Sequence, residues 1–305
     1  MHYKLVVFGN KETTKNMVDY IHHHLHPVDL IVSVSAEKKS GISGYSDLQD
    51  YAKLHGIPQY IVSSYSLKDV QDIEFFKNNT FELGISVGWQ RIIPGEVLSQ
   101  FEKGIFGFHG SCGHLPYGKG RSPLNWSLIN GHTRFINHCF QYNSKADDGK
   151  IHSIEMFEIN EFDTIRTLQY KVLLVGRIQI KKLIEDYKRD TILLFPQSKN
   201  IPTWYEKRGP KDGKIDLSVS TREIYNLIRG VTTPFPGAFL LSEDSKIVTI
   251  WEAYPFDQVI DTFEFNVGEV IEVFGKDVLL KTIDGSLLVK KYSFERKIRK
   301  GDIFH

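Results

Sequence analysis

Cysteine is scarce: Cys112 and Cys139 are the only two among 305 residues. Two thiols cannot build a disulfide framework or a four-thiolate zinc site, and so sparse a use points to reduced thiols in the cytoplasm. Long apolar runs are missing as well. No stretch reaches the ~18 residues that a membrane-spanning helix needs, which argues against a membrane partner. An excess of one charge is also missing, since 38 Lys and Arg stand against 37 Asp and Glu. A protein that holds a long nucleic acid usually carries a basic surplus, so the balance argues against nucleic acid as partner. The basic lean after Lys276 reads as a solvated face. The opening Met-His-Tyr-Lys-Leu-Val-Val-Phe has too short an apolar run for a secretory leader. Gly9-Asn10-Lys11 lacks the Gly-x-Gly-x-x-Gly that a nicotinamide enzyme would show after its first strand.

What is present is ordinary for a globular chain, with 41% hydrophobic and 25% charged residues. Short β-rich runs (Tyr3–Phe8, Asp29–Val34, Tyr60–Ser63, Glu82–Val87, Ile105–His109) alternate with helical patterns near Thr13–His24, Ser46–His55 and Leu67–Asn78. Ser46 is the expected cap of the second of these. This alternation predicts an α/β, Rossmann-like doubly wound parallel sheet, in which ligands bind at the carboxyl ends of the strands. The rule draws attention to Gly9-Asn10, Ser86–Trp89 and His109–Arg121. Two further strands (Phe135–Tyr142, Lys150–Glu158) and a long helix (Asp163–Lys188) follow. Thr221–Arg229 reads as a helix capped by Ser220 or Thr221. From Ala238 on, short β runs at Ile247–Trp251, Val267–Phe274, Val278–Lys281 and Ser286–Val289 are separated by turn signals, the signature of a small antiparallel barrel. The expected division is 1–200 for the α/β domain and 201–305 for a C-terminal domain with a small β-barrel of the OB type.

The stretch richest in chemistry is Gly107-Phe108-His109-Gly110-Ser111, followed by Leu115-Pro116-Tyr117-Gly118-Lys119-Gly120-Arg121-Ser122-Pro123-Leu124-Asn125-Trp126. A histidine at the end of a buried strand precedes a loop of small residues and a turn into a helix. Downstream, Ala146-Asp147-Asp148-Gly149 offers a carboxylate that can orient and charge that histidine. Asp-Asp-Gly is also ordinary turn chemistry. His22-His23-His24-x-His26 puts His22 and His26 on one helix face. With no carboxylate or Cys nearby to complete a site, it reads as a solvated helix end, and no metal is expected.

These residues resemble the folate-dependent formyltransferases, the family of methionyl-tRNA formyltransferase, and most closely its sugar N-formyltransferase branch. The family pattern is Asn-x-His at a strand end, a Gly/Ala-Ser-Leu-Leu-Pro loop, an Arg-Gly-x-x-Pro turn and an Asp-x-Gly-Asp loop. His109 falls on the family histidine and Asp147 on the family aspartate. The likeness extends to Ser86–Pro94, Trp204–Asp216 and Ile228–Ala238. It implies N10-formyltetrahydrofolate as co-substrate, held by Ser86, Val87, Gly88, Trp89 and Ile92, with His109 and Asp147 catalytic. It also implies a nucleotide-linked amino sugar (UDP or dTDP) as acceptor, with methionyl-tRNA as the alternative, touched by Gly110, Ser111, Lys119, Arg121, Trp204, Tyr205 and Phe235. A homodimer is implied too. Trp89 could equally be simple packing, and Arg121 a solvated loop residue.

One departure stands out, because the family's catalytic Asn is Gly107 here. Losing one oxyanion donor lowers turnover by about 10²–10³. Three readings follow. His109 acts alone, another donor fills the gap (Asn137, His138 or Asn125), or activity has been lost.

Overall fold

The strand β1 (His2–Phe8) sends alternate side chains to opposite sides, and both sides are buried. Leu5 and Val7 join one apolar layer; Val6 and Phe8 join the other. A strand buried on both faces belongs at the centre of a parallel sheet covered by helices. The computed structural model, which describes residues 1–305 except Gly41, Ser43 and Asp261, has that build.

The chain divides into two compact units. The first comprises Met1–Lys119, Ile136–Phe157 and Val172–Thr203; the second comprises Gly120–Phe135, Glu158–Lys171 and Trp204–His305. In chain order the first unit begins with β1, α1 (Glu12–His24), β2 (Leu30–Ser33), α2 (Gln49–Leu54), β3 (Gln59–Ile61), α3 (Val70–Lys77), β4 (Thr80–Ser86), α4 (Gly95–Leu98) and β5 (Phe101–Ser111). Along the chain then come β6 (Lys119–Gly120), α5 (Pro123–Ile129, a helix of the second unit), β7 (Arg134–Gln141), β8 (Ile151–Glu158) and α6 (Ile165–Lys188). The sheet runs β3-β2-β1-β4-β5-β7-β8. β1 pairs in parallel with β2 and β4, and β4 with β5, whereas β5 and β7 are antiparallel. The order reverses between β1 and β4, where Phe8 lies opposite Ser86. That reversal opens a crevice at the strands' carboxyl ends.

One face of the sheet is covered by Met17, Val18 and Ile21 of α1 and by Ile180, Leu183 and Ile184 of α6. The other holds a group of aromatic rings around Phe8, with Phe76, Phe101 and Trp89 packed within 6.0 Å of it, centre to centre. α2 starts two residues later than the Ser46 cap predicts. The Asp47 carboxylate takes the backbone N–H of Gln49 (2.9 Å), and the Ser46 N–H is already given to the Asn10 carbonyl.

The second unit contains β9 (Trp204–Tyr205), α7 (Thr221–Val231), β10 (Ala238–Leu241), β11 (Ile247–Asp257), β12 (Val270–Phe274), β13 (Asp277–Thr282) and β14 (Gly285–Ser293). Ser220 and Glu223 form a reciprocal capping box on α7, as the sequence suggests. The last five strands make an antiparallel sheet in the order β10-β11-β14-β13-β12. β11 continues to Asp257, past its expected end at Trp251, because bulges let it keep pairing with β14. The terminal segment bridges the two edges of this sheet. Leu241 and His305 exchange both backbone hydrogen bonds (2.8 and 2.9 Å), while Phe304 N–H reaches the Gly268 carbonyl and Val270 N–H the Asp302 carbonyl, each at 2.9 Å. The Phe304 ring is buried among Leu240, Val270, Leu280 and Ile298.

Phe304 therefore seals the interior of this sheet. Phe304→Ala is expected to cost about 3–5 kcal/mol, as truncation of a buried aromatic ring does. Urea unfolding should show a markedly lower midpoint; an unchanged midpoint would mean that the terminal segment contributes little.

Candidate active site

His109 lies two residues before the end of β5, near the carboxyl edge of the sheet, and is 9% exposed. Its Nε2–H donates to the Gly118 carbonyl at 2.8 Å. The other ring nitrogen, Nδ1, faces the Asp147 carboxylate at 3.5 Å. Sequence order put these two residues far apart; the hairpin from β7 to β8 brings them together.

The loop carrying Asp147 is held at several points. Gly149 closes its base, since a Cβ there would lie 1.5 Å from the Gln141 carbonyl oxygen. Asp147 itself adopts φ +51°, a left-handed conformation that Asp tolerates better than most residues. The Gln197 amide donates to the carbonyls of both Asp147 and Gly149 at 2.9 Å. The Lys119 ammonium, nearly fully buried, binds the neighbouring Asp148 carboxylate at 2.7 Å. That hydrogen bond holds Asp148 below the usual carboxylate range.

Lys119, expected at the substrate, gives its ammonium to the loop that presents Asp147. Ser111, also expected there, gives its hydroxyl to the carbonyls of Gly113 and Tyr117, both at 2.9 Å, and shapes the loop after β5. Gly110 is buried opposite Asn137.

The residues expected to hold the co-substrate line the loop after β4. Ser86 is buried at the strand end, Val87 N–H continues the ladder to the Phe8 carbonyl (2.9 Å), and Gly88 takes φ +77°. Trp89 packs edge-on against Phe8 and Tyr65, and Ile92 is exposed. Two polar groups here lack hydrogen-bond partners among the described residues: the wholly buried Asn10 amide, at both its atoms, and the Trp89 indole N–H. The strand-end rule had pointed to Asn10 without giving it a role.

All three side chains considered as replacements for the missing Asn are engaged elsewhere. Asn137 donates to Gln179 Oε1 at 2.7 Å. His138 accepts from Leu115 N–H and faces the His109 carbonyl, each at 3.3 Å. Burial pushes its imidazole down to about 4, so the ring is neutral near pH 7. Asn125 donates to the Gly230 carbonyl at 2.8 Å, joining α5 to α7. Position 107 is not empty, however. A Cβ there would lie 2.1 Å from the Tyr142 hydroxyl oxygen and 2.2 Å from Cζ of the same ring. Sequence reading missed Tyr142, because it lies 35 positions from Gly107 and only the register of β5 on β7 joins them.

In the second unit, Arg121 is exposed and its backbone N–H pairs with the Tyr205 carbonyl at 3.0 Å. The Tyr205 ring stacks on Trp126 (5.9 Å, 12°), and the Arg208 guanidinium lies over Trp126 at 4.9 Å. One face of Tyr205 is therefore already covered, while Trp204 is 58% exposed and Phe235 is half-buried. Arg229, within the stretch that carried the resemblance, is buried and reaches the carbonyls of Asn160 and Asp163. Among the described residues, no group of three or more His, Cys, Asp or Glu is placed to hold a metal ion, and no helix is long and apolar enough to cross a membrane.

A doubly wound sheet with a histidine–carboxylate pair at its carboxyl edge has the build of an α/β enzyme. The chain belongs to the formyl transferase family: the formyl transferase model matches residues 3–183 and the model of the formyl transferase C-terminal domain matches 208–301. It is an enzyme that transfers formyl groups. Among its relatives, methionyl-tRNA formyltransferase of Fusobacterium nucleatum is 28% identical over 296 residues, 96% of this chain and 93% of that one. The bifunctional polymyxin resistance protein ArnA of Wigglesworthia glossinidia brevipalpis is 31% identical over 209 residues, 68% of this chain but 31% of that longer protein. An N-formyltransferase from Helicobacter canadensis, solved with folinic acid and dTDP-3-aminofucose, shares the fold with TM-score 0.69 at 20% identity, covering 95% of this chain and 100% of that one.

The Lys119–Asp148 pair gives a pH test. Asp148 titrates lower when folded, so its contribution is present above the ordinary Asp value of about 3.9 and is lost as pH falls through the lower folded value. In urea titrations, wild type should lose stability relative to Lys119→Met as pH drops below about 4. A difference that stays constant from neutral pH to about 3 would show that the pair is not coupled to folding.

Proposed function

We propose that this protein transfers the formyl group of N10-formyltetrahydrofolate to the amine of a nucleotide-linked (UDP or dTDP) amino-deoxy sugar. The observation that carries the reading is the His109–Asp147 pair at the carboxyl edge of the sheet, on a strand next to the topological reversal.

The folate side of the crevice suits a reduced pterin, whose ring edge alternates donors and acceptors. The buried Asn10 amide offers one of each, and the Trp89 indole offers a donor. Ser86, Val87 and Gly88 would bring backbone groups to the same edge. Bound there, the folate supplies an activated formyl carbon. The acceptor amine has to be neutral to attack it. Asp147, pinned by Gln197 and by the ion pair of its neighbour, is placed to take the proton the amine loses as it bonds to carbon. His109, oriented by the Gly118 carbonyl, turns its Nδ1 toward Asp147.

Two observations favour a sugar acceptor over tRNA. The loop 111–121 carries Lys119 and Arg121 as its only Lys or Arg, and the Lys119 ammonium is committed to Asp148. The chain as a whole has a net charge of +1. Trp204 exposes its ring, and Arg208 sets a cation over Trp126, groups of the kind that suit a pyrimidine diphosphate. The Helicobacter canadensis enzyme was solved with such a nucleotide sugar. The 28% identity to a methionyl-tRNA formyltransferase over nearly the whole chain favours the second reading, tRNA as acceptor.

Incubation with N10-formyltetrahydrofolate and a panel of UDP- and dTDP-linked amino sugars should give a product heavier by one formyl group in the mass spectrum. His109→Ala and Asp147→Ala should each reduce turnover by roughly 10²–10³. Product with methionyl-tRNA and with no sugar would move the protein to the second reading.

A further inference from the structure

Gly107 and Tyr142 occupy each other's space. Gly107 pairs with Phe140 across the β5–β7 seam, so position 142 is its diagonal neighbour on the same face. The Tyr142 ring crosses that face and fills the volume where any side chain at 107 would begin. Its hydroxyl reaches Ser86 Oγ at the end of β4 across a long 3.4 Å. Such a bond is weak, so the proton can be redirected to a better acceptor at small loss. The hydroxyl also feels the Asp147 carboxylate; burial first, with that charge adding to it, pushes Tyr142 up to about 12 and keeps it a protonated donor at neutral pH. His109, meanwhile, has its Nε2–H bound to Gly118 and its Nδ1 turned to Asp147.

We propose that the Tyr142 hydroxyl donates the hydrogen bond to the formyl oxygen that the Asn of the family motif would supply from position 107, and that Gly107 is the residue that makes room for it. The inference rests on the formyl-transfer reading above. The acceptor nitrogen forms its bond to the formyl carbon, the bond from that carbon to the donor nitrogen breaks, and the proton leaving the acceptor amine ends on the donor nitrogen by way of Asp147. Charge that gathers on the formyl oxygen during the exchange returns to the carbonyl, so Tyr142 keeps its proton throughout and acts as a donor only.

The test combines turnover with measurements on the ligand-free protein. Tyr142→Phe, which removes one oxygen and leaves the packing, should lower kcat by roughly 10²–10³ while the affinity for folinic acid by calorimetry changes by no more than about threefold. Gly107→Asn in a Tyr142→Val background should recover at least about tenfold of the turnover lost in Tyr142→Val alone. In thermal unfolding without ligand, Gly107→Ala should be strongly destabilising in wild type and much less so beside Tyr142→Ala, because the clash is with that ring. The proposal is overturned if Tyr142→Phe keeps wild-type turnover, or if Gly107→Ala costs the same in both backgrounds. A wild-type protein that binds folinic acid yet formylates no amine overturns the formyl-transfer reading itself, and the proposal with it.

Discussion

The antiparallel seam between β5 and β7 decides where the reactive side chains stand. β5 arrives from the parallel half of the sheet and carries Gly107 and His109 to its carboxyl edge. β7 runs back against it, and its register sets Phe140 opposite Gly107 and His138 opposite His109. The chain leaving β7 lays the Tyr142 ring over Gly107 and then turns through the loop that returns Asp147 to His109. A slip of one residue in this pairing would turn Tyr142 to the other face of the sheet and leave position 107 an empty glycine. Gly149 lets the loop base pack against the Gln141 carbonyl, and Lys119 ties the loop at its side.

The α/β alternation was legible because each strand of the parallel half is a short apolar run bounded by a helix with its own period. The barrel-like end was legible from its turn signals, yet the role of residues 301–305 was not: a segment that pairs with two strands far apart in sequence shows no periodicity of its own. His109 and Asp147 were found because a motif surrounds each of them. The Tyr142–Gly107 exchange was invisible, since it depends on the diagonal between two strands. The tie of Lys119 to Asp148 was hidden for a related reason. Sequence shows that a lysine is near a loop and does not show that its ammonium is buried there.

Much of the conspicuous polarity in the chain serves the scaffold. Ser111 holds its own loop, Asn137 and Gln179 satisfy one another inside the first unit, and Asn125 and Arg229 stitch backbone carbonyls within the second. Buried polar groups that are fully bonded fix geometry and have nothing left to offer a ligand. Some buried atoms depart from this pattern among the described residues, among them His132 Nε2, Arg177 Nε and Gln197 Oε1. Asn10 and Trp89 follow the two strands at the reversal of the sheet with polar atoms unmatched among the described residues, and Tyr142 makes a long bond to Ser86 at the end of β4.

The most direct measurement is a crystal structure of the protein soaked with 10-formylfolic acid, a stable folate that carries its formyl group on N10. The account predicts a pterin ring bonded to the Asn10 amide and a formyl oxygen within hydrogen-bond distance of the Tyr142 hydroxyl, close to His109 and Asp147. A folate bound with its formyl group away from the β5 carboxyl edge, or with the Tyr142 hydroxyl still turned to Ser86, would contradict it.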